Sequence, residues 1–123
     1  MKKILLVEDN VMNQEGFFRL LSKRGYTVVV ATSGESAITK YNEDMPDLIL
    51  MDVSLPDMSG FDVTRVIRSL EASASRPATP IIAITAHAMV QDRVHAIEAG
   101  CTDFEPKPME FKRLFQKIAK YTS

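Results

Sequence analysis

Tryptophan is absent from this chain of 123 residues, cysteine occurs once, and no apolar run is long. The lone Cys101 cannot close an internal disulfide, which fits a reducing compartment. A bilayer span needs about 20 consecutive apolar residues, and nothing here approaches that. Met1-Lys2-Lys3 runs straight into an apolar stretch and lacks the h-region of a secretory signal. A strong charge of either sign is also missing. At a net charge of −1, nothing argues for bulk electrostatic binding to nucleic acid. Two histidines without cysteine neighbours make no zinc pattern. An apolar fraction of 46% and a charged fraction of 25% are those of an ordinary globular protein. The expectation is a single cytoplasmic domain over residues 1–123, with neither a nucleic-acid nor a membrane partner.

What is present alternates between two patterns. Ile4 to Val7, Tyr26 to Ala31, Asp47 to Asp52, Ile81 to Thr85 and Thr102 to Glu105 read as strands. Continuous aliphatic runs of this kind suit a parallel sheet buried on both faces. Between them lie helical patterns. Asn10 or a neighbour caps a helix to about Arg24, with Phe17, Leu20, Leu21 and Met12 or Gly16 inward. Gly25 ends that helix. Thr32 with Glu35 fits a capping box for a second helix carrying Ala37, Ile38 and Tyr41. Phe61, Val63, Val66, Ile67 and Leu70 form the stripe of a third, and Ala72 to Pro80 reads as a flexible connection. A fourth helix ends at Gly100, and a fifth spans Met109 to about Tyr121 with Phe111, Leu114, Phe115 and Ile118 inward. Five strand–helix units predict an α/β fold with a doubly wound parallel sheet.

The informative polar residues sit where these strands end: Glu8-Asp9, Asp52, Thr85 and Lys107. Ligands of open α/β sheets gather outside the carboxyl ends of the strands, so these groups should converge. A carboxylate such as Asp52 can attack phosphorus and form an acyl phosphate. Glu8 and Asp9 can share a hard divalent cation, Mg2+, with Asp52. Lys107 supplies a positive charge to a phosphoryl oxygen or to Asp52, and the Thr85 hydroxyl can bond another oxygen. Each element has a plainer reading: acids after a strand favour a helix dipole, and Pro108 can simply open the last helix.

Val7-Glu8-Asp9-Asn10, Leu50-Met51-Asp52, Leu55-Pro56-Asp57-Met58-Ser59-Gly60, Ile84-Thr85-Ala86 and Lys107-Pro108 together resemble the signature of the response-regulator receiver domain, over essentially the whole chain. The resemblance implies a flavodoxin-like sheet of strand order 2-1-3-4-5 with five helices. It implies a two-component or phosphorelay switch that takes a phosphoryl group from a sensor histidine kinase or a histidine phosphotransfer protein onto Asp52. Asp9 and Asp52 would then ligate Mg2+ (or Mn2+) directly, with the backbone carbonyl of Ser54 a third ligand and Glu8 acting through water. Thr85 and Phe104 would be the switch residues, with Phe104 turning inward on phosphorylation. Ser54 and His87 would tune the pocket. A downstream protein would read the surface of the fourth helix, fifth strand and fifth helix. Such a domain acts on no substrate but its own phosphoryl group, and so is not an enzyme in the usual sense. Two departures from the common pattern stand out: Glu8 is one methylene longer than the frequent Asp, and Phe104 lacks the hydroxyl of the frequent Tyr.

Other functions fit less well. A metal-dependent aspartyl phosphohydrolase would place a second acid where Ser54 stands. A flavin or nucleotide carrier would have a Gly-rich loop after the first strand. A constitutive receiver-like interaction module would not require the complete acid, Thr and Lys set. The basic residues Lys112, Arg113, Lys117 and Lys120 on the last helix read as a solvated face, with an acidic-partner surface as the alternative. Starting at Met1, just before the first strand, favours a free-standing regulator over a receiver excised from a hybrid kinase.

Overall fold

A computed structural model of the chain describes residues 2–86, 90–107 and 110–123. The strands are β1 (Lys3–Val7), β2 (Thr27–Ala31), β3 (Leu48–Asp52), β4 (Ile81–Thr85) and β5 (Asp103–Pro106). The helices between and after them are α1 (Val11–Lys23), α2 (Gly34–Asp44), α3 (Gly60–Ser73), α4 (Val90–Ala99) and α5 (Phe111–Thr122). All strand pairings are parallel, in the order β2-β1-β3-β4-β5.

Alternation along each strand feeds two cores. Ile4, Leu6, Leu48, Leu50, Ile82 and Ile84 pack with Phe17 and Leu21 of α1 and Leu114 and Ile118 of α5. Leu5, Val7, Ile49, Met51 and Ile81 pack on the opposite face with Ala37, Tyr41, Val63 and Ile67 from α2 and α3. With both faces covered, β3 and β4 are buried along their whole length. Asp52 and Thr85, the last residues of those strands, are buried too.

Local chemistry sets the helix ends. Asn10 accepts a hydrogen bond from the Asn13 N–H as the cap of α1, and Gly25 takes a positive φ of 92° just beyond it. Several expectations need correction. The capping box of α2 is Ser33 with Ser36, not Thr32 with Glu35, because Ser33 is the extended residue whose hydroxyl faces the N3 amide. Met12 is 81% exposed and lies off the inward stripe of α1. Cys101 is half-buried and packs against the edge of the core. The segment after α3 is tied down: the buried Glu71 carboxylate accepts from the Thr79 N–H at 2.8 Å and the Tyr41 hydroxyl at 3.1 Å. Arg68 binds both Glu71 and the Thr79 carbonyl, each at 2.8 Å.

Candidate functional site

Parallel register lines up the strand ends that carry the polar residues. Val7 lies beside Met51, Asp52 beside Ile84, and Thr85 beside Pro106. Each next residue therefore emerges at the same rim of the sheet. Glu8, Asp9 and Asp52 each present a carboxylate oxygen within 4.8 Å of the others. Glu8 and Asp52 are buried, at 3% and 4% exposure, while Asp9 is open to solvent. The Lys107 ammonium donates to Asp52 Oδ2 at 3.3 Å, and its backbone N–H bonds the Thr85 carbonyl at 2.6 Å. On the other side, the Ser54 N–H donates to Asp52 Oδ1 at 3.0 Å. Both oxygens of Asp52 thus have a fixed donor.

Glu8 is held by the start of α1. Its carboxylate accepts from the Asn10 N–H at 3.2 Å and the Asn13 amide at 3.4 Å, and Gln14 donates to its backbone carbonyl at 2.6 Å. Burial raises its pKa to about 7; the Asn10 N–H opposes this, and the hydrogen bond and charge of Asp52 add to it, with Lys107 opposing. Without a cation, burial and the neighbouring Asp52 favour the protonated form of Glu8. Three hard oxygen donors against one lysine leave an excess of negative charge, and that donor set suits a hard divalent cation.

Thr85 is buried at the end of β4, and Ser54 is exposed at the rim. Phe104 is 7% exposed and packs with Ala83 and Ala96, with the Arg93 guanidinium 5.9 Å from its ring centroid. Its ring packs into the fold in this structure. A cavity of about 280 Å3 opens beside it between α4 and β5. His87 lies outside the described residues.

Some residues around the site carry no recognisable signal in the sequence. Asn13 and Gln14 read there as ordinary helix polars. The basic face of α5 is not simply solvated: Arg113 makes a forked contact with Glu105, at 2.9 and 3.0 Å. Lys117 reaches Glu105 at 2.7 Å, Asp103 at 3.1 Å and the Phe104 carbonyl at 2.9 Å. Glu105 is fully buried two residues before Lys107, so these bonds clamp β5 to α5. Asp57 in the loop after β3 and Gly60 at the start of α3, which the sequence shows only as part of the signature segment, also touch neighbouring elements.

Comparison with known proteins agrees with this arrangement. The family model for the response regulator receiver domain matches residues 4–119. The chain is 40% identical to part of hybrid signal transduction histidine kinase I of Dictyostelium discoideum, over 95% of its own length but only 7% of that kinase. It is 36% identical to the polar-differentiation response regulator DivK of Brucella ovis, over 98% of this chain and 95% of DivK. Among solved structures, the receiver domain of a Pseudomonas aeruginosa sensor histidine kinase superposes with a TM-score of 0.87 and 36% identity, covering 98% of this chain and 97% of that one. That receiver holds a magnesium ion in its active-site cleft. Together with the strand order and the rim of acids and lysine, these matches establish that the chain belongs to the response regulator receiver domain family of two-component signalling.

Proposed function

We propose that this chain is a phosphoacceptor switch in which Asp52 takes a phosphoryl group from a phosphohistidine. The donor is a sensor histidine kinase or a histidine phosphotransfer protein. An Asp52 carboxylate oxygen attacks phosphorus, a P–O bond forms as the P–N bond breaks, and the imidazole leaves. The observation that carries this reading is the 3.3 Å contact of Lys107 with Asp52 beside two further carboxylates. Glu8, Asp9 and Asp52, with the Ser54 carbonyl, would hold Mg2+, with Mn2+ as a substitute; the similar Pseudomonas receiver holds magnesium. Bound there, the cation offsets charge on the phosphoryl oxygens. Lys107 then moves from the carboxylate to a phosphoryl oxygen, and the Thr85 hydroxyl bonds another.

Displacement of Lys107 and Thr85 is the local event that biases α4, β5 and α5, the surface offered to a downstream protein. Since Phe104 is already packed inward, its part is to set how α4 sits on β5. Hydrolysis of the acyl phosphate returns Asp52 to its carboxylate, so the chain turns over only its own phosphoryl group. No helix among the described residues is long and apolar enough to cross a membrane, in keeping with a cytoplasmic setting. The test is incubation with acetyl phosphate and Mg2+, followed by intact-mass measurement. One phosphoryl adduct that fails to form when EDTA is present from the start supports the reading; no adduct contradicts it.

A further inference from the structure

The loop between β3 and α3 is closed at its base and tied at its tip. At the base, Ser54 and Ser59 pair in an antiparallel bridge, and the Gly60 N–H donates to the Val53 carbonyl at 2.9 Å. At the tip, the Asp57 carboxylate leaves its own loop for the start of α2. It accepts from the Gly34 N–H at 2.8 Å and the Glu35 N–H at 3.0 Å, across 23 and 22 residues of sequence. Met58 seats against Gly34, filling the space that a Cβ there would need.

We infer that Asp57 is a positioning residue for the phosphoacceptor site: by fastening this loop to the N-terminus of α2, it holds Ser54 and Asp52 in the arrangement the cation and phosphoryl group require. The inference rests on the function proposed above. Ser54 transmits the effect, because its N–H fixes one oxygen of Asp52 at 3.0 Å. A loop anchored only at its base could swing Ser54 away from the carboxylate. The tip anchor restricts that motion before any ligand arrives, so less ordering is left for binding to supply. Helix capping alone does not account for the contact. Ser33 and Ser36 already form a complete capping box on α2, whereas Asp57 takes the first two amides from another part of the chain. The two backbone donors hold the Asp57 carboxyl below its ordinary range, as expected of an anion bound at a helix start.

The test compares wild type with Asp57→Ala, Asp57→Asn and Ser33→Ala, measuring Mg2+ affinity by calorimetry and phosphoryl uptake from acetyl phosphate by intact mass. Asp57→Ala is expected to weaken Mg2+ binding by about tenfold, the low end for an outer partner of a metal ligand, and to slow uptake in parallel. Asp57→Asn keeps one acceptor oxygen without the charge, and should recover part of that loss. Ser33→Ala loosens α2 without touching the loop; it should lower Tm and leave Mg2+ affinity near that of wild type. A loss below about threefold in Asp57→Ala overturns the assignment. So does Asp57→Asn with no recovery, which would mean long-range charge alone, or Ser33→Ala matching Asp57→Ala, which would mean helix stability alone. Wild type that takes up neither Mg2+ nor phosphate overturns the underlying function instead, and this inference with it.

Discussion

Gly60 lies so close to Asp52 that a methyl group on its Cα would run into the Asp52 backbone carbonyl. The first turn of α3 therefore packs directly on the strand end that carries Asp52, the proposed phosphoacceptor. Gly60→Ala must push the two apart, since the obstacle is backbone and cannot swing aside. We expect a loss of about 1–3 kcal/mol in unfolding free energy, the usual cost of overpacking. Phosphoryl uptake should slow as well, because the Asp52 backbone is what moves. Urea denaturation and a time course with acetyl phosphate measure the two effects; an unperturbed variant would mean that α3 shifts without strain.

Glu8 makes the cation-free protein sensitive to pH in a defined direction. Its pKa is about 7 in the fold against an ordinary 4.5, so folding favours the protonated form. Its contribution to stability is therefore full below pH 4.5 and is lost as pH rises through about 7. Mg2+ held by the proposed ligands would reverse the preference by favouring the carboxylate. Thermal unfolding of wild type minus Glu8→Gln should show this loss without Mg2+, and the stabilisation by Mg2+ should grow towards pH 7 and above. A difference curve flat across this range would contradict the assignment.

Arg113→Met should be costly although its guanidinium is largely at the surface. Burial alone would push the Glu105 carboxyl up, but its bonds to Arg113 and Lys117 hold it below its ordinary range. Removing Arg113 leaves a fully buried carboxylate with lysine alone, a loss of about 2–3 kcal/mol for hydrogen bonds to a charged group. Replacing Glu105 by Met in the same variant should restore part of it, since no buried charge then lacks its partner. Chemical denaturation of the single and double variants decides this. No recovery in the double variant would show that Arg113 acts by packing.

Tyr41→Phe tests the tie at the other end of the sheet. It removes one of the bonds that gather α2, α3 and the segment before β4 around Glu71, and about 1 kcal/mol should be lost. Amide exchange at Thr79 should quicken, because its N–H depends on the same carboxylate. Unchanged exchange there would mean that Arg68 alone secures the segment.

The strands were legible because they are buried on both faces, which leaves nearly unbroken aliphatic runs such as Leu48 to Met51. The rim was legible for the same reason. Parallel register carries the polar residue after each run to one edge, so strand ends alone predict that Glu8, Asp52, Thr85 and Lys107 become neighbours. Contacts between side chains distant in sequence were not legible. Nothing in the last helix tells Arg113 and Lys117, which meet a buried Glu105, from Lys112 and Lys120, which stay in solvent. Asp57 looks like any turn residue until the start of α2 is placed beside it. Thr32 and Ser33 are both good caps, and only the point where the backbone turns helical chooses between them. Ala72 to Pro80 looks loose by composition, yet the Glu71 carboxylate holds it.

The measurement closest to the heart of this account is to locate the phosphoryl group. Wild type and Asp52→Asn are treated with acetyl phosphate and Mg2+, weighed intact, and the wild-type adduct is trapped with borohydride and mapped by peptide mass spectrometry. The account predicts one adduct on wild type, at Asp52, and none on the variant. An adduct at another residue, or equal labelling of the Asp52→Asn protein, would contradict it.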